Sequence, residues 1–472
     1  MIHELSSADR SSLAAERGPI NMTVGGLAVF EPNAVLTHEA LIERVSERLH
    51  LLPRLRQRLE APPLGIVGPV WSDDVDFDLE WHVRQVSVPP PGGPKEVGQL
   101  IGREFSNRMD RTRPLWDLTL VEGFADGRSA ILMRVHHALA DGVAAAAIGA
   151  MLLDPTPEPL VLDPPQAPWE PTPYGARRHV SRLVRRPVTS AARPVIGGLA
   201  RVMDPDPRRA AADARKAASD LRRAVDVGLE LAGQRPQAPM TPLNRQTSPN
   251  RRYAYSEIPL AAMKDVARRA DATVNDAILG TITQMLRHYL SAPLADGTRS
   301  QLPGSSPVAL VPVSVRKTRD GVVGNRISTV LVDLPVEVPD QLEQIRIITA
   351  QTTQLKQSAA VRAGSLMIDA SGFAPPLLAG ILAKAFGSVR MFNLVVSNVP
   401  GPTAPVYFRG AAATAMYPVV PLNPSNQGMS VGVVSYNGTV YFGLLADRAL
   451  DPPFEAVSEG LQEALAALHA LA

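Results

Sequence analysis

Two adjacent histidines, an aspartate four residues after the second, and a glycine beside it fall within His136-His137-Ala138-Leu139-Ala140-Asp141-Gly142. The chain has nine histidines in all, so the doublet is not the by-product of an abundant residue. Imidazole is the side chain best matched to proton transfer near neutral pH. Fixed in one tautomer, it could take the proton of an alcohol, and a positioned base is worth roughly 10²–10⁴ in rate. Asp141 could orient the loop through a buried ion pair, and Gly142 frees the backbone to turn. Two other readings use the same residues. A histidine pair with an aspartate is a partial metal donor set. Against that, neighbouring strand residues point to opposite sides, and no second His-rich segment supplies further donors. The other alternative is a structural pair that only satisfies buried hydrogen bonds.

The flanking elements must position this cluster. Ile131 to Val135 reads as a buried strand. Val143 to Leu153, rich in Ala, Ile, Met and Leu, reads as a buried helix. The polar residues therefore sit at a strand-to-helix turn between apolar elements, where ionisable groups cost free energy unless they are paired or used. Alternation puts Ile131, Met133 and Val135 on one face, continued by His137, and Leu132, Arg134 and His136 on the other. An extended chain to that point would turn His137 to the apolar side and set His136 beside an arginine. The preceding strand is Trp116 to Glu122, joined through Asp126-Gly127 turn chemistry.

Elsewhere in the first part, Met22 to Phe30 reads as a strand interrupted by Gly25-Gly26. Thr37 is placed to cap a helix from His38 to His50, which Pro53 ends. Arg54, Arg56 and Arg58 then alternate, as on a solvated strand face. Pro89 to Pro94 reads as a loop and Gln99 to Met109 as a helix. After Asp154 the composition changes. It is Pro-rich to Pro173, then basic and Ala-rich from Arg177 to Arg223. Residues 155–250 are expected to be a connection, partly helical, between a lobe at 1–154 and a lobe at 251–472. In the second lobe, strands are expected at Tyr253 to Ile258, Val308 to Val315 and Thr329 to Leu334. Thr273 caps a helix to Leu290 whose first turn carries Asn275 and Asp276, and Gln341 to Gln357 is a further helix. Asn393 to Val396 is an apolar strand leading into Ser397-Asn398-Val399-Pro400-Gly401-Pro402. Asn437-Gly438 is a hairpin turn, and a last helix follows Asp451-Pro452-Pro453. Each half mixes strands and helices, so the fold class is α/β with mixed sheets.

Composition excludes several functions. Lys and Arg number 48 against 46 Asp and Glu, a net charge of +2, which asks for no nucleic-acid partner. There is no cysteine, which rules out disulfides, thiolate metal sites and an acyl-cysteine. Acyl chemistry is then left to Ser, to His or to direct transfer. Met1 to Arg17 carries acids and no apolar core, so it does not read as a signal peptide. The most apolar window, Pro375 to Phe386, is broken by Lys384 and is shorter than the ~20 residues that span a bilayer. The expected location is the cytoplasm, with membrane contact only from the side.

The doublet and its spacing resemble the HHxxxDG motif of the bacterial wax ester synthase/acyl-CoA:diacylglycerol acyltransferase family, within the wider group similar to chloramphenicol acetyltransferase and condensation domains. Pro114-Leu115-Trp116 resembles the family's PLW element, and Asn275-Asp276 its ND element. Pro312-Val313-Ser314-Val315-Arg316, Gly324-Asn325 and Ser397 to Pro402 resemble its C-terminal blocks. Leu5 to Asp9 and Met22 to Leu27 look like its opening, although Thr23 stands where a histidine is common. Only the connection around 155–250 falls outside the likeness. The resemblance implies two lobes with the active site in a tunnel between them. His137 would be the general base, His136 supporting, and acyl-CoA the co-substrate, with no bound cofactor and no metal. The acceptor hydroxyl, of diacylglycerol or of a long-chain alcohol, would attack the thioester directly. Asp141 would be structural, paired with Arg316. Donors near Asn398 or Asn275 would stabilise the oxyanion. Trp116 reads as core packing or substrate contact, Asn275 and Asp276 as site or helix first turn, and Ser397 to Pro402 as site or strand exit. Such an enzyme would meet its apolar substrates at a membrane or lipid droplet. The basic connection and Phe373 to Phe386 are the candidate contacts, with a solvated helical face as the alternative for the basic residues. Acylation of another lipid or glycolipid alcohol, or a non-catalytic lipid-binding role, are the competing functions.

Overall fold

The computed structural model describes residues 3–61, 69–139, 148–149, 151–165, 167–174, 237–298, 301–315, 326–357, 390–423 and 427–471. Its strands are β1 (His3–Glu4), β2 (Thr23–Phe30), β3 (Gln57–Glu60), β4 (Val70–Asp73), β5 (Val83–Ser87), β6 (Trp116–Glu122), β7 (Ser129–His136), β8 (Arg251–Pro259), β9 (Val308–Val315), β10 (Arg326–Asp333), β11 (Leu394–Pro400), β12 (Tyr407–Phe408), β13 (Ala411–Val419), β14 (Met429–Tyr436) and β15 (Thr439–Asp447). Its α-helices are α1 (Ser7–Ala15), α2 (His38–Arg48), α3 (Leu79–His82), α4 (Pro94–Ser106), α5 (Leu260–Arg269), α6 (Val274–Ser291), α7 (Gln341–Gln357) and α8 (Phe454–Leu471).

Two six-stranded sheets carry the chain, ordered β12-β13-β2-β7-β6-β5 and β10-β9-β11-β14-β15-β8. Each is mixed: β5 runs parallel to β6, and β11 parallel to β9 and β14, while the other pairs within both sheets are antiparallel. Apolar residues of β2, β6 and β7 share the first core with Leu41 and Val45 of α2 and Ile101 and Phe105 of α4. The second core lies between its sheet and α5, α6 and α8.

The sheets do not follow the two halves of the chain. β12 and β13 lie in the 251–472 stretch, yet they complete the first lobe's sheet through β2. β13 also lies against the second sheet. The Tyr253, Tyr436 and Tyr441 hydroxyls donate to the Pro418, Ala413 and Thr414 carbonyls at 2.8, 2.8 and 2.9 Å. Space for the crossing comes from Gly432 and Gly443, which are partners in the β14–β15 ladder. A Cβ on Gly443 would stand 1.9 Å from the Pro418 carbonyl oxygen. A second joint sets α4 on β8, where Cβ atoms on Gly98 and Gly102 would stand 2.4 and 2.7 Å from the Tyr253 and Arg251 carbonyls.

Several local expectations change. Pro94 does not end a loop; it opens α4 at its first position, with Glu96 bonding back to the Gly93 N–H. Arg54, Arg56 and Arg58 do not line a solvated strand. The first two fall in a 3₁₀ turn, half-buried over Trp71 and Trp169, and Arg58 pairs with Glu60 and Asp74. The start of the expected connection is not free of the first lobe, since the Thr172 N–H donates to Asp73. Ser397 to Pro400 continues β11 rather than leaving it. The basic stretch from Arg177 to Arg223 and the window Phe373 to Phe386 lie outside the described residues.

The β13 crossing gives a sharp test. Gly443→Ala forces the Pro418 carbonyl or the strand to move and should cost about 2–3 kcal/mol. Gly304→Ala, with nothing within 4 Å of its Cβ, should stay within roughly 0.5 kcal/mol. Denaturant unfolding of both variants measures the difference, and equal stabilities would mean the crossing is not tight.

Candidate active site

The doublet is pinned through its main chain from both neighbouring strands. The His136 N–H donates to the Leu115 carbonyl at 2.9 Å, and the His137 N–H to the Met22 carbonyl at 2.8 Å. The Leu139 N–H then returns to the His136 carbonyl at 2.8 Å, closing a turn. The PLW element thus meets the doublet directly, through Leu115, a fully buried residue next to Pro114.

The two imidazoles differ in setting. His136 is the last residue of β7 and is fully buried. Its Nδ1 accepts the Ala138 N–H at 3.0 Å, which places the ring proton on Nε2, 3.5 Å from Oε1 of Glu16. Strand alternation holds as far as His136, which shares its face with Arg134. It does not extend to His137, which begins the turn and is exposed rather than packed on the apolar side.

Glu16 is a buried carboxylate at the end of α1, and the sequence reading missed its role. It takes Arg111 Nη2 at 2.7 Å and Nε at 3.2 Å on one oxygen, and the Met22 N–H at 3.2 Å on the other. Burial pushes its pKa up, but the nearby His136 ring and the bonds from Arg111 and the Met22 N–H outweigh it and bring the pKa down to about 2. On the same strand face, Arg134 forms a two-point pair with its register partner Asp117, at 2.9 and 2.8 Å. Burial works against the Arg134 charge, yet the Asp117 bond and charge raise its pKa.

Trp116 is a core residue in this structure. Its ring is buried and stacked on His82 with centroids 4.5 Å apart, and its Nε1 donates to the Leu55 carbonyl at 2.7 Å. His82 Nδ1 lies 2.7 Å from the Trp116 carbonyl. Burial is the largest influence on His82 and lowers its pKa to about 4, against the raising effect of that carbonyl.

The ND and NVPGP elements meet. Asn398 on β11 donates to the Asn275 Oδ1 at 3.2 Å. Asp276 takes the structural part. It is buried, closes a capping box with Thr273, and accepts the Thr352 hydroxyl at 2.8 Å. Asp141, Gly142 and Arg316 lie outside the described residues, and with them the expected Asp141–Arg316 pair.

Comparison with known proteins agrees along nearly the whole chain. A family model described as the wax ester synthase/diacylglycerol acyltransferase catalytic domain matches residues 5–278, and one for the WS/DGAT C-terminal domain matches 323–469. A probable diacylglycerol O-acyltransferase of Mycobacterium tuberculosis, tgs1, is 31% identical over 477 residues, covering 100% of this chain and 96% of its own. The wax ester synthase/diacylglycerol acyltransferase of Marinobacter aquaeolei VT8 superposes with a TM-score of 0.69 at 26% identity over 99% of each chain. The starter condensation domain of rhizomide synthetase shares the fold, with a TM-score of 0.54 at 16% identity over 100% of this chain and 94% of its own.

The depressed pKa of His82 carries a pH dependence of known sign. Below about 6.5 the unfolded chain takes up a proton that the fold refuses, so the stability is full above 6.5 and falls as pH drops towards 4. The whole loss is roughly 3 kcal/mol. Denaturant unfolding between pH 7.5 and 4.5 should show a shallower acid slope for His82→Phe than for the parent chain. Parallel slopes would mean that His82 titrates normally.

Proposed function

The chain belongs to the wax ester synthase/diacylglycerol acyltransferase family, and we propose that it transfers a long acyl chain from acyl-CoA to the hydroxyl of diacylglycerol, forming triacylglycerol. Long-chain alcohols are proposed as further acceptors, giving wax esters. The observation that carries the reading is the asymmetry of the doublet: a buried, bonded His136 beside an exposed His137 whose main chain is fixed. The names of the mycobacterial and marine relatives support the substrate class.

In the proposed reaction the His137 imidazole takes the proton of the acceptor hydroxyl. The oxygen attacks the thioester carbonyl, and the tetrahedral oxyanion collapses to the ester. The departing CoA thiolate recovers the proton from His137. No acyl-enzyme forms, which fits a chain without cysteine. The Asn398–Asn275 pair is the proposed source of an amide N–H for the oxyanion, a contribution of ~3 kcal/mol for such a donor. Asp141 is proposed as the clamp of the loop, paired with Arg316. Both substrates carry long apolar chains, while no helix among the described residues is long and apolar enough to cross a membrane. Peripheral contact with a membrane or lipid droplet is therefore proposed, through the basic stretch and Phe373 to Phe386.

Release of CoA thiol, followed across acyl-CoA lengths with diacylglycerol and a long-chain alcohol as rival acceptors, tests the assignment. His137→Ala should lose at least about 10²-fold in rate with an unchanged melting temperature. Full activity in that variant would remove the base assignment, and thiol release that neither acceptor stimulates would remove the proposed acceptors. Flotation with liposomes should recover the chain on anionic vesicles, and absence from all vesicles would discard the membrane contact.

A further inference from the structure

We propose that Glu16 is the positioning residue of the doublet, acting on His136 through its imidazole and on His137 through the main chain of Met22. This rests on the reading of His137 as the base. One Glu16 oxygen faces both His136 Nε2, at 3.5 Å, and the Met22 N–H, at 3.2 Å. The Met22 carbonyl in turn accepts the His137 N–H at 2.8 Å. A single carboxylate therefore sets the residue that holds His137 and also braces the ring next to it. The other oxygen is fixed by Arg111 at 2.7 and 3.2 Å, and Arg111 Nη2 also donates to the Leu13 carbonyl at 3.2 Å.

The geometry around the carboxylate leaves it little freedom. Its side chain is 2% exposed and that of His136 1%. The Ala138 N–H occupies His136 Nδ1, so the ring can offer its proton only on the Glu16 side. Met22 lies just before β2, whose Thr23 pairs with His136 in the β2–β7 ladder. Thr23 is itself tied down, its hydroxyl donating to Asn21 Oδ1 at 2.6 Å while the Asn21 amide caps the Phe105 and Asn107 carbonyls at 3.1 and 2.9 Å. The segment that passes Glu16's hold on to His137 is thus fixed at both ends. Glu16 touches neither thioester nor acceptor in this scheme; its effect is the pose of His137, and misplacing a catalytic group by about 1 Å can cost 10²-fold.

The test measures kcat and KM for acyl-CoA, with melting temperature, in the full chain. Glu16→Gln is expected to lower kcat about 10- to 100-fold with KM within about twofold. Its assay temperature is set well below its own melting point. Glu16→Asp, which keeps the charge one methylene further back, is expected between Gln and the parent. If the Gln variant does not fold, the Asp variant decides, and full kcat in it overturns the proposal. A lowered melting temperature with unchanged kcat in either folded variant makes Glu16 a stability element only and also overturns it. Carbethoxylation followed by peptide mass spectrometry gives a second readout. The parent should modify at His137 and not at His136, whereas Glu16→Gln should open His136; a parent-like pattern in Glu16→Gln counts against the bracing of its ring. His137→Ala separates the two levels: an active His137→Ala chain removes the base reading itself, whereas an inactive one beside a fully active Glu16→Gln removes only the role of Glu16.

Discussion

One strand serves both sheets and ties the lobes together, beside the packing of α4 on β8. β13 pairs with β2 as part of the first sheet and gives three carbonyls to tyrosines of the second. This constraint reaches the doublet in two steps, because β2 pairs with β7 and the residue just before β2, Met22, accepts the His137 N–H. The second lobe thereby helps to set the first lobe's strand that carries the doublet. Tyrosine suits the joint, since its ring buries apolar area while its hydroxyl satisfies a backbone acceptor. Proline at 418 suits it too. A residue with no N–H to place offers its carbonyl to Tyr253, and glycine at 443 admits that carbonyl.

Around the doublet the chain buries full charges, which is costly unless each has partners. Glu16 has His136, Arg111 and the Met22 amide; Arg134 has both oxygens of Asp117. Removing one member of such a set leaves an uncompensated charge in a low-dielectric site, so the set works as a unit. The end of β7 that carries Arg134 and His136 is therefore ionic, whereas Ala130 and Leu132 earlier on the same face lie in the apolar core. That gives the strand end a single register, because a slip by one residue would put His137 against Glu16 and turn His136 outward.

Much of this was legible from residues alone. The strand before the doublet, the capped helix carrying Asn275 and Asp276, and the Asn437-Gly438 hairpin all follow from local chemistry, and they appear with nearly the expected bounds. What stayed hidden was not local. β13 is Ala-rich, so its alternation is weak in the sequence although its burial alternates, and nothing near it says which sheet it joins. Glu16 sits 120 residues before His136, in a stretch whose acids read only as evidence against a signal peptide. Arg111 has no pattern around it. The network exists because three distant segments converge, and spacing cannot report convergence. The strand alternation failed at His137 for a simpler reason: the turn begins one residue earlier than continued extension would require.

A base that must meet a lipid substrate has two conflicting needs. It must be reachable, and it must not wander. One residue on a loop satisfies the first at the expense of the second. Two adjacent residues at a strand end can divide the work, since successive N–H groups there reach opposite neighbours and the turn frees the second side chain. His136 turns inward, its Nε2 3.5 Å from Glu16 Oε1 and its N–H donated to Leu115; His137 turns outward, its N–H anchored on Met22. The backbone is fixed on both sides, and the turn that begins at His137 leaves its ring exposed while that of His136 stays buried. In the proposed mechanism the doublet is a single device, in which the fixed main chain of the buried histidine helps to hold the exposed one.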